Sequence, residues 1–446
     1  VNSSDWLGYP GSDEIITNTK FFGNDLNTFS STVETRYQDW GDWLADEIGF
    51  DGFRMDFVRG FQEEYVADWV NSLPLKNGSQ RFVVGEYWGS DSRIKNWVNA
   101  VAGYGADVDG FDFPLKSSLT SLCNGYGSGF DMRWLNTAGM VRNAGGNSLP
   151  GTSVVTWLEN HDTGKEHDKW ITKDWKMGYA YILTHEGRPC VFYNHFFGDV
   201  MVDSHNSSYT VTPDSNLDVD IEKLTFVRKT YLGGSLTVLS DVGNPYPSGD
   251  AYNVYVARRE GNGTESGAIV VINNHDTQTK GLWVDAAPSG WASWSNTTLV
   301  NAFDSNVTTS VYSDGRVWVE APPRGYAVYV KQSEYVAYTG NGSRLGDAVN
   351  LIDSFDDKIK EFAVANLYPN PVVDGRITLN LEMPESQVVF VTIHDVQGKL
   401  HFSSSSQVLA GRQALDLDVS QLAPGYYVTY IGFGTAKKTV PLLVRE

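Results

Sequence analysis

The chain has 446 residues, which at roughly 100 to 200 residues per domain is enough for two to four domains, each with its own core. Lys and Arg number 34 against 54 Asp and Glu, for a formal net charge of −20, and so acidic a chain argues against nucleic acid as a partner, because phosphate binding relies on basic patches. Its 41% hydrophobic and 13% aromatic content excludes a disordered chain. No window approaches about 18 consecutive apolar residues, so the sequence holds no span for a membrane. The 14 Trp and 23 Tyr would suit stacking on flat, neutral ligands such as sugars.

The first residues, Val1-Asn2-Ser3-Ser4, carry no initiator Met and no leader pattern, from which we expect a start removed by processing or truncation. From 34 to 200, helical and strand patterns alternate, which predicts successive βα units with a parallel sheet. Leu44 and Ile48 close a helix, Gly49 to Gly52 turn, and strands are predicted over 53–57, 81–85, 111–113, 153–157 and 191–193. Helices are predicted over 61–73, 94–101, 177–184 and 217–231, the last closing this part. From 233 the period becomes two, with runs at 252–256, 268–272, 281–285, 316–320 and 325–330, which predicts an antiparallel β domain over 233–332. Residues 333–360 are polar and read as a linker. A small β module follows over 361–446, with Asn370-Pro371, Asp374-Gly375 and Gln397-Gly398 as turn signals. The two cysteines, Cys123 and Cys190, make no disulfide framework or metal cluster by themselves. Cys190 sits in an apolar run, and a buried, inert thiol is expected there.

Three acids stand at or beyond the C-terminal ends of predicted parallel strands, the edge at which such sheets bind ligands: Asp56, Glu86 and Asp162. One alone would read as a solvated carboxylate; three on one rim point to a site. Arg54, two residues before Asp56, shares its side of the strand and would keep that carboxylate ionised as a nucleophile. Glu86 follows the apolar Val83-Val84-Gly85 and precedes Tyr87 and Trp88, surroundings that raise a carboxyl pKa and suit a proton donor. His161 adds a donor beside Asp162. Two carboxyl groups with split pKa values are what glycosidic cleavage requires.

Gly52-Phe53-Arg54-Met55-Asp56-Phe57-Val58-Arg59-Gly60, Val84-Gly85-Glu86-Tyr87-Trp88 and Leu158-Glu159-Asn160-His161-Asp162-Thr163-Gly164 resemble three successive signature regions of the α-amylase family of glycoside hydrolases. Gly178 to His185 and Pro189 to Tyr193 are similar to its plant-like and maltotetraose-forming members, and Pro322-Pro323-Arg324-Gly325-Tyr326 resembles the close of its β-sandwich domain C. The resemblance implies part of a (β/α)8 TIM barrel, namely strands 4 to 8 over 31–232, after the end of a domain B over 1–30 and before an antiparallel β-sandwich domain C. It implies a retaining hydrolase of α-1,4-glucosidic bonds in starch and maltooligosaccharides, with Asp56 as nucleophile, Glu86 as general acid and base, and Asp162 as transition-state stabiliser. Arg54, Arg59, Trp88 and His161 would bind substrate, and Asp25 with the Gly60 carbonyl would face a structural calcium ion. Asp25 could equally make an Asx turn or helix cap.

Three βα units expected before Val1 are not in the sequence, so we expect the chain to be part of a longer amylase, weakly active or an inactive carbohydrate-binding fragment by itself. An exo-acting maltooligosaccharide former or a glucanotransferase would use the same covalent intermediate. At the other end, Asn366 to Pro371, His394 to Lys399, Leu422 to Tyr427 and Lys437-Lys438 resemble the C-terminal sorting domain of the type IX secretion system, which implies an exported bacterial protein handled by that machinery. A starch-binding module in this place should display exposed Trp pairs, yet 361–446 contains no Trp.

Overall fold

The computed structural model describes residues 27–445, apart from 29, 126–128, 242–248, 340–362, 384–385, 396–398, 410 and 434–435. Asp25, the Gln397-Gly398 turn and most of the expected linker therefore lie outside the described residues, as does nearly all of the expected end of domain B. The chain divides into two units, Val1–Thr339 and Gly340–Glu446.

In the first unit α1 (Ser31–Asp42) leads to β1 (Gly52–Met55), α2 (Glu63–Ser72), β2 (Phe82–Gly85), α3 (Asp91–Gly103), β3 (Asp109–Phe111), α4 (Phe113–Asn124), β4 (Val154–Trp157), α5 (Trp175–Thr184), β5 (Arg188–Cys190) and α6 (Tyr193–Phe197). A hairpin of β6 (Met201–Val202) and β7 (Thr210–Val211) precedes α7 (Leu217–Tyr231). Strands β1 to β5 form one sheet in sequence order, each parallel to the next. This order follows from helical crossovers, which return the chain to the same edge each time. The apolar faces of α2 and α3, including Val66, Val70, Ile94 and Trp97, pack on Val83 and Val154 of the sheet.

Three expectations need correction. The third strand is Asp109–Phe111 rather than 111–113, because Phe113 opens a helix that the apolar spacing did not reveal. Its start is set by Asp112, whose Oδ1 accepts from Leu115 N at 2.9 Å, with Pro114 in the first turn. The fifth strand is Arg188–Cys190 rather than 191–193: Val191 turns into the core, and Tyr193–Phe197 is helical. Pro189 is tolerated there since, among the described residues, β5 pairs on one side only, with β4. Cys190, expected to be buried, is exposed on that strand; it and the buried Cys123 are both free thiols.

The antiparallel part comprises β8 (Leu236–Val238), β9 (Val254–Arg259), β10 (Ala268–Asn273), β11 (Lys280–Asp285), β12 (Thr298–Asn301), β13 (Asp304–Ser310), β14 (Arg316–Ala321) and β15 (Gly325–Lys331). Six of them form a sheet in the order β13-β12-β15-β10-β9-β8, and β11 with β14 makes a second. Between the sheets lies a core of Val254, Val256, Ile269, Val271, Leu282, Val284, Val317 and Val319. A separate continuous core runs from α4, α5 and α7 into Tyr255, Val270 and Ile272, so the helices and the sandwich share buried surface. Arg324 fastens the two: its Nε donates to Asp174 Oδ2 at 2.9 Å, Nη1 to Asn274 O at 2.9 Å and Nη2 to Cys123 O at 2.7 Å.

The second unit is a seven-stranded module with the sheets β16-β17-β20 and β19-β18-β21-β22, where β16 is Ala363–Tyr368, β17 Arg376–Met383, β18 Gln387–Asp395, β19 Leu400–Val408, β20 Gly411–Asp418, β21 Gly425–Phe433 and β22 Ala436–Val444. Leu379, Val391, Ile393, Ile431 and Leu442 fill the space between them. Among the described residues no helix is long and apolar enough to cross a membrane.

Candidate active site

The register of β1 on β2 pairs Met55 with Gly85, so Asp56 and Glu86 occupy matching positions one residue past the paired ends and their side chains leave the sheet on the same side. Two backbone bonds extend the match: Glu86 N donates to Met55 O at 2.9 Å and Val58 N to Glu86 O at 3.2 Å. The chain then leaves β1 through Phe57, held in the left-handed region at φ 47°. Such a conformation costs a non-glycine residue about 1–3 kcal/mol and tends to mark functional loops. Behind Glu86, Gly85 faces Trp97 so closely that a Cβ there would fall within the indole.

Arg54 joins the two acids. Its Nη1 lies 2.7 Å from Asp56 Oδ1 and its Nη2 2.8 Å from Glu86 Oε1. The first contact is a hydrogen bond; the second is an ion pair out of hydrogen-bond alignment, which leaves Oε1 buried without a hydrogen-bond donor. Glu86 Oε2 accepts from Phe57 N at 3.3 Å. The environments differ sharply: Glu86 is 6% exposed, whereas the Asp56 side chain is 74% exposed. Burial pushes the Glu86 carboxyl above the ordinary range, Arg54 and the Phe57 N–H pull it back, and Asp56 beside it pushes it up again. One acid is thus poised to hold a proton beside another that lies open to solvent.

Asp162 comes from the loop beyond β4. Asn160 Oδ1 accepts from the backbone N–H groups of Asp162 and Thr163 at 3.0 and 2.8 Å, shaping the turn that presents it. Partial burial raises its carboxyl, but Lys165, His161 and Arg54 outweigh that and hold it below the usual range. Lys165 Nζ sits 2.6 Å from Asp162 Oδ1 and His161 Nε2 3.4 Å from Oδ2. The charge of Arg54 therefore acts on all three acids. Lys165 was missed in the sequence; its signal is the three-residue spacing from Asp162 across one turn of 3-10 helix.

The other expected residues are less uniform. Trp88 is 39% exposed, lies 4.9 Å from Phe113 between ring centroids and, with Phe113, Lys116, Thr163, Asp168 and Lys169, lines a groove of about 610 Å³. Arg59 Nη1 donates to Trp88 O at 3.3 Å, tying the loop after β1 to that after β2. Gly60 ends the 3-10 turn Val58–Gly60, its N–H donating to Phe57 O at 2.9 Å. Sequence reading also passed over Glu159 and Lys116, a buried pair 3.7 Å apart. Glu159 Oε1 accepts from Ile171 N at 2.6 Å, which pins the far end of the loop that carries Asp162.

Residues 366–445 match the secretion system C-terminal sorting domain. The alpha-amylase of Geobacillus stearothermophilus is 33% identical over 179 residues, 39% of this chain and 31% of that protein. The glucan 1,4-alpha-maltotetraohydrolase of Stutzerimonas stutzeri is 30% identical over 203 residues, 40% of this chain and 33% of its own. The chain thus spans about a third of the length of these curated relatives. A solved alpha-amylase from Anoxybacillus superposes with a TM-score of 0.52 at 17% identity, over 71% of this chain and 65% of its own. That likeness makes the parallel sheet part of a (β/α)8 barrel and the antiparallel region the β domain after it. By these similarities the chain is related in part to the alpha-amylases, and it ends in a secretion system C-terminal sorting domain that marks it for export by the type IX route.

Proposed function

We propose that the unit Val1–Thr339 cleaves α-1,4-glucosidic bonds in starch and maltooligosaccharides with retention of configuration. The observation that carries this reading is the single guanidinium of Arg54 set between an exposed carboxylate, Asp56, and a buried one with a raised pKa, Glu86. Two carboxyl groups on one fork lie close, as in retaining glycosidases, whose pair is about 5–5.5 Å apart. The alpha-amylase and maltotetraohydrolase relatives supply the substrate class.

In the first step Asp56 attacks the anomeric carbon, the bond to the leaving oxygen breaks, and protonated Glu86 gives that oxygen its proton. In the second, Glu86, now ionised, takes a proton from water as the water oxygen displaces Asp56, which restores both acids. Asp162, kept anionic, stabilises the positive charge that develops on the sugar ring, while Arg54 and His161 orient hydroxyls beside it. Trp88 offers an aromatic wall on the leaving-group side, with Arg59 steadying it through its carbonyl.

Calcium enters no step. Of the two residues expected to face it, Asp25 lies outside the described residues, and no group of three His, Cys, Asp or Glu among those described could hold a metal ion. The same reading places the barrel part over 31–232, the sandwich over 233–332, the linker over 333–360 and the sorting module over 361–446, with the type IX machinery as its partner. The test is release of reducing ends from soluble starch by the full chain, beside Asp56→Asn, with the anomeric form of the first product read by NMR. Turnover that gives the α-anomer and vanishes in the variant supports the proposal; no turnover, or an inverted product, overturns it.

A further inference from the structure

The smaller sheet of the sandwich carries aromatic side chains that its core does not use. Along β11 and β14 alternate residues turn inward, Leu282 and Val284 facing Val317, Val319 and Ala321 in the buried cluster. The outward set places Trp283 directly opposite Trp318 in the ladder and Asp285 opposite Arg316. The two indoles lie 5.7 Å apart between centroids at an interplanar angle of 61°, and Tyr312, 49% exposed at the turn into β14, lies 6.0 Å from Trp283 at 48°. Three rings thus follow one another on the outside of the sandwich, both indoles partly exposed.

The arrangement is fixed from several directions. A Cβ on Gly281 would come 2.5 Å from Val319 O, 2.7 Å from Glu320 Cβ and 2.8 Å from Trp318 Cζ2, so a bare backbone there admits both the close approach of β14 and the indole. Trp318 Nε1 donates to Glu320 Oε2 at 2.9 Å, which sets the ring's orientation. The Arg316 guanidinium lies 5.2 Å from the Trp283 centroid and 5.0 Å from that of Tyr312. Held rings on a surface carry little entropy still to lose when a ligand arrives.

We propose that Tyr312, Trp283 and Trp318 form a second carbohydrate site, on the sandwich rather than the parallel sheet, which takes an α-glucan chain. The C–H faces of successive sugar rings would stack on the aromatic row, and Arg316, Glu320 and Asp285 would meet the hydroxyls along its edges. The ring planes are inclined to one another by 48° and 61°, so successive sugars would meet rings of differing tilt. The choice of an α-glucan rests on the proposed function. A pair of tryptophans, lacking in 361–446, is present here, each partly exposed on the outer face.

Affinity electrophoresis of the full chain in native gels cast with soluble starch tests this, beside Tyr312→Ala and the double variant Trp283→Ala, Trp318→Ala. Retardation of the unaltered chain should weaken about tenfold in the double variant, the usual scale for truncating a central aromatic contact. Tyr312→Ala, which touches no core, should weaken it severalfold and keeps the test valid should the double variant fail to fold. Hydrolysis of a short soluble maltooligosaccharide should remain unchanged in Tyr312→Ala. No retardation of the unaltered chain, undiminished retardation in Tyr312→Ala, equal retardation by hydroxyethyl cellulose, or a concentration-dependent dimer broken by the same changes would each overturn the site. Aromatic-dependent retardation without hydrolysis sinks only the proposed function; hydrolysis without it sinks only this site.

Discussion

Lys165 Nζ lies 2.6 Å from Asp162 Oδ1, one turn of 3-10 helix along the chain. The lysine shares that carboxylate with His161 and, through space, with Arg54, and together they keep it ionised. Removing the Lys165 charge lets the Asp162 pKa rise. Since the ionised form is the useful one, the acid limb of kcat/KM should move to higher pH in Lys165→Met. At neutral pH the loss should stay under about fivefold, as expected of a half-exposed pair worth up to about 1 kcal/mol. A pH–rate profile of the two proteins decides it; an unmoved acid limb contradicts the arrangement.

Arg54 predicts a shift of the other limb. Its charge favours the ionised form of Glu86 and opposes the rise caused by burial. In Arg54→Met the Glu86 pKa climbs further, so the protonated acid survives to higher pH and the alkaline limb moves upward. At the optimum kcat should fall about 100-fold, the usual cost of losing a preorganised donor at the reacting centre. Profiles on one soluble maltooligosaccharide separate the displacement of the limb from the loss in rate.

Glu86→Gln removes the proton donor while keeping the shape. With a natural glucan kcat should fall by about 10²–10⁴-fold. With an aryl maltooligoside, whose leaving group departs without a proton, the burst of released phenol should persist while turnover stalls. Equal loss on both substrates would remove Glu86 from the acid role.

Arg324 is expected to matter for stability and not for chemistry. Its guanidinium bonds Asp174 and the carbonyls of Asn274 and Cys123 at a boundary that apolar contacts and further hydrogen bonds, such as Asn274 Nδ2 to Phe130 O and Tyr326 OH to Asp220, also hold. Arg324→Met orphans those acceptors together and should cost about 3 kcal/mol. The measurement is the urea midpoint of the first unit, followed by the fluorescence of the tryptophans, all of which precede the sorting module.

For the sorting module, the last strand carries the prediction. Ala436–Val444 pairs along the whole of Gly425–Phe433, so deletion of 436–446 exposes the edge of β21 and opens the core at Leu442. Such a chain should accumulate inside its host's envelope instead of reaching the medium or cell surface, as a blot of the fractions would show.

Much of this was legible in the sequence, and what escaped did so for identifiable reasons. Asp56 and Glu86 could be read because each ends an apolar strand, and the period of two put Arg54 on the side of Asp56. The helix Phe113–Asn124 escaped because Ser117, Ser118 and Lys116 blur its apolar stripe; its better signal was the Asp112 cap with Pro114. The fifth strand was misplaced because Val191 and Phe192 look like a buried strand, whereas the pairing residues are Arg188 to Cys190. There Arg188 is tied to Asp109 at 2.7 Å and to Thr152 O at 3.0 Å. Glu159 and Lys116 are 43 positions apart, and only the fold brings a pair so distant together.

The contact of Gly85 with Trp97 has a consequence for anyone wishing to remodel this cleft. Helix α3 acts as a stop behind the final peptide of β2, so the proton donor cannot be nudged by altering its predecessor without prising a whole helix from the sheet. Room for redesign lies on the solvent side instead, from Trp88 onward, where the groove wall can be recut while the donor keeps its anchorage.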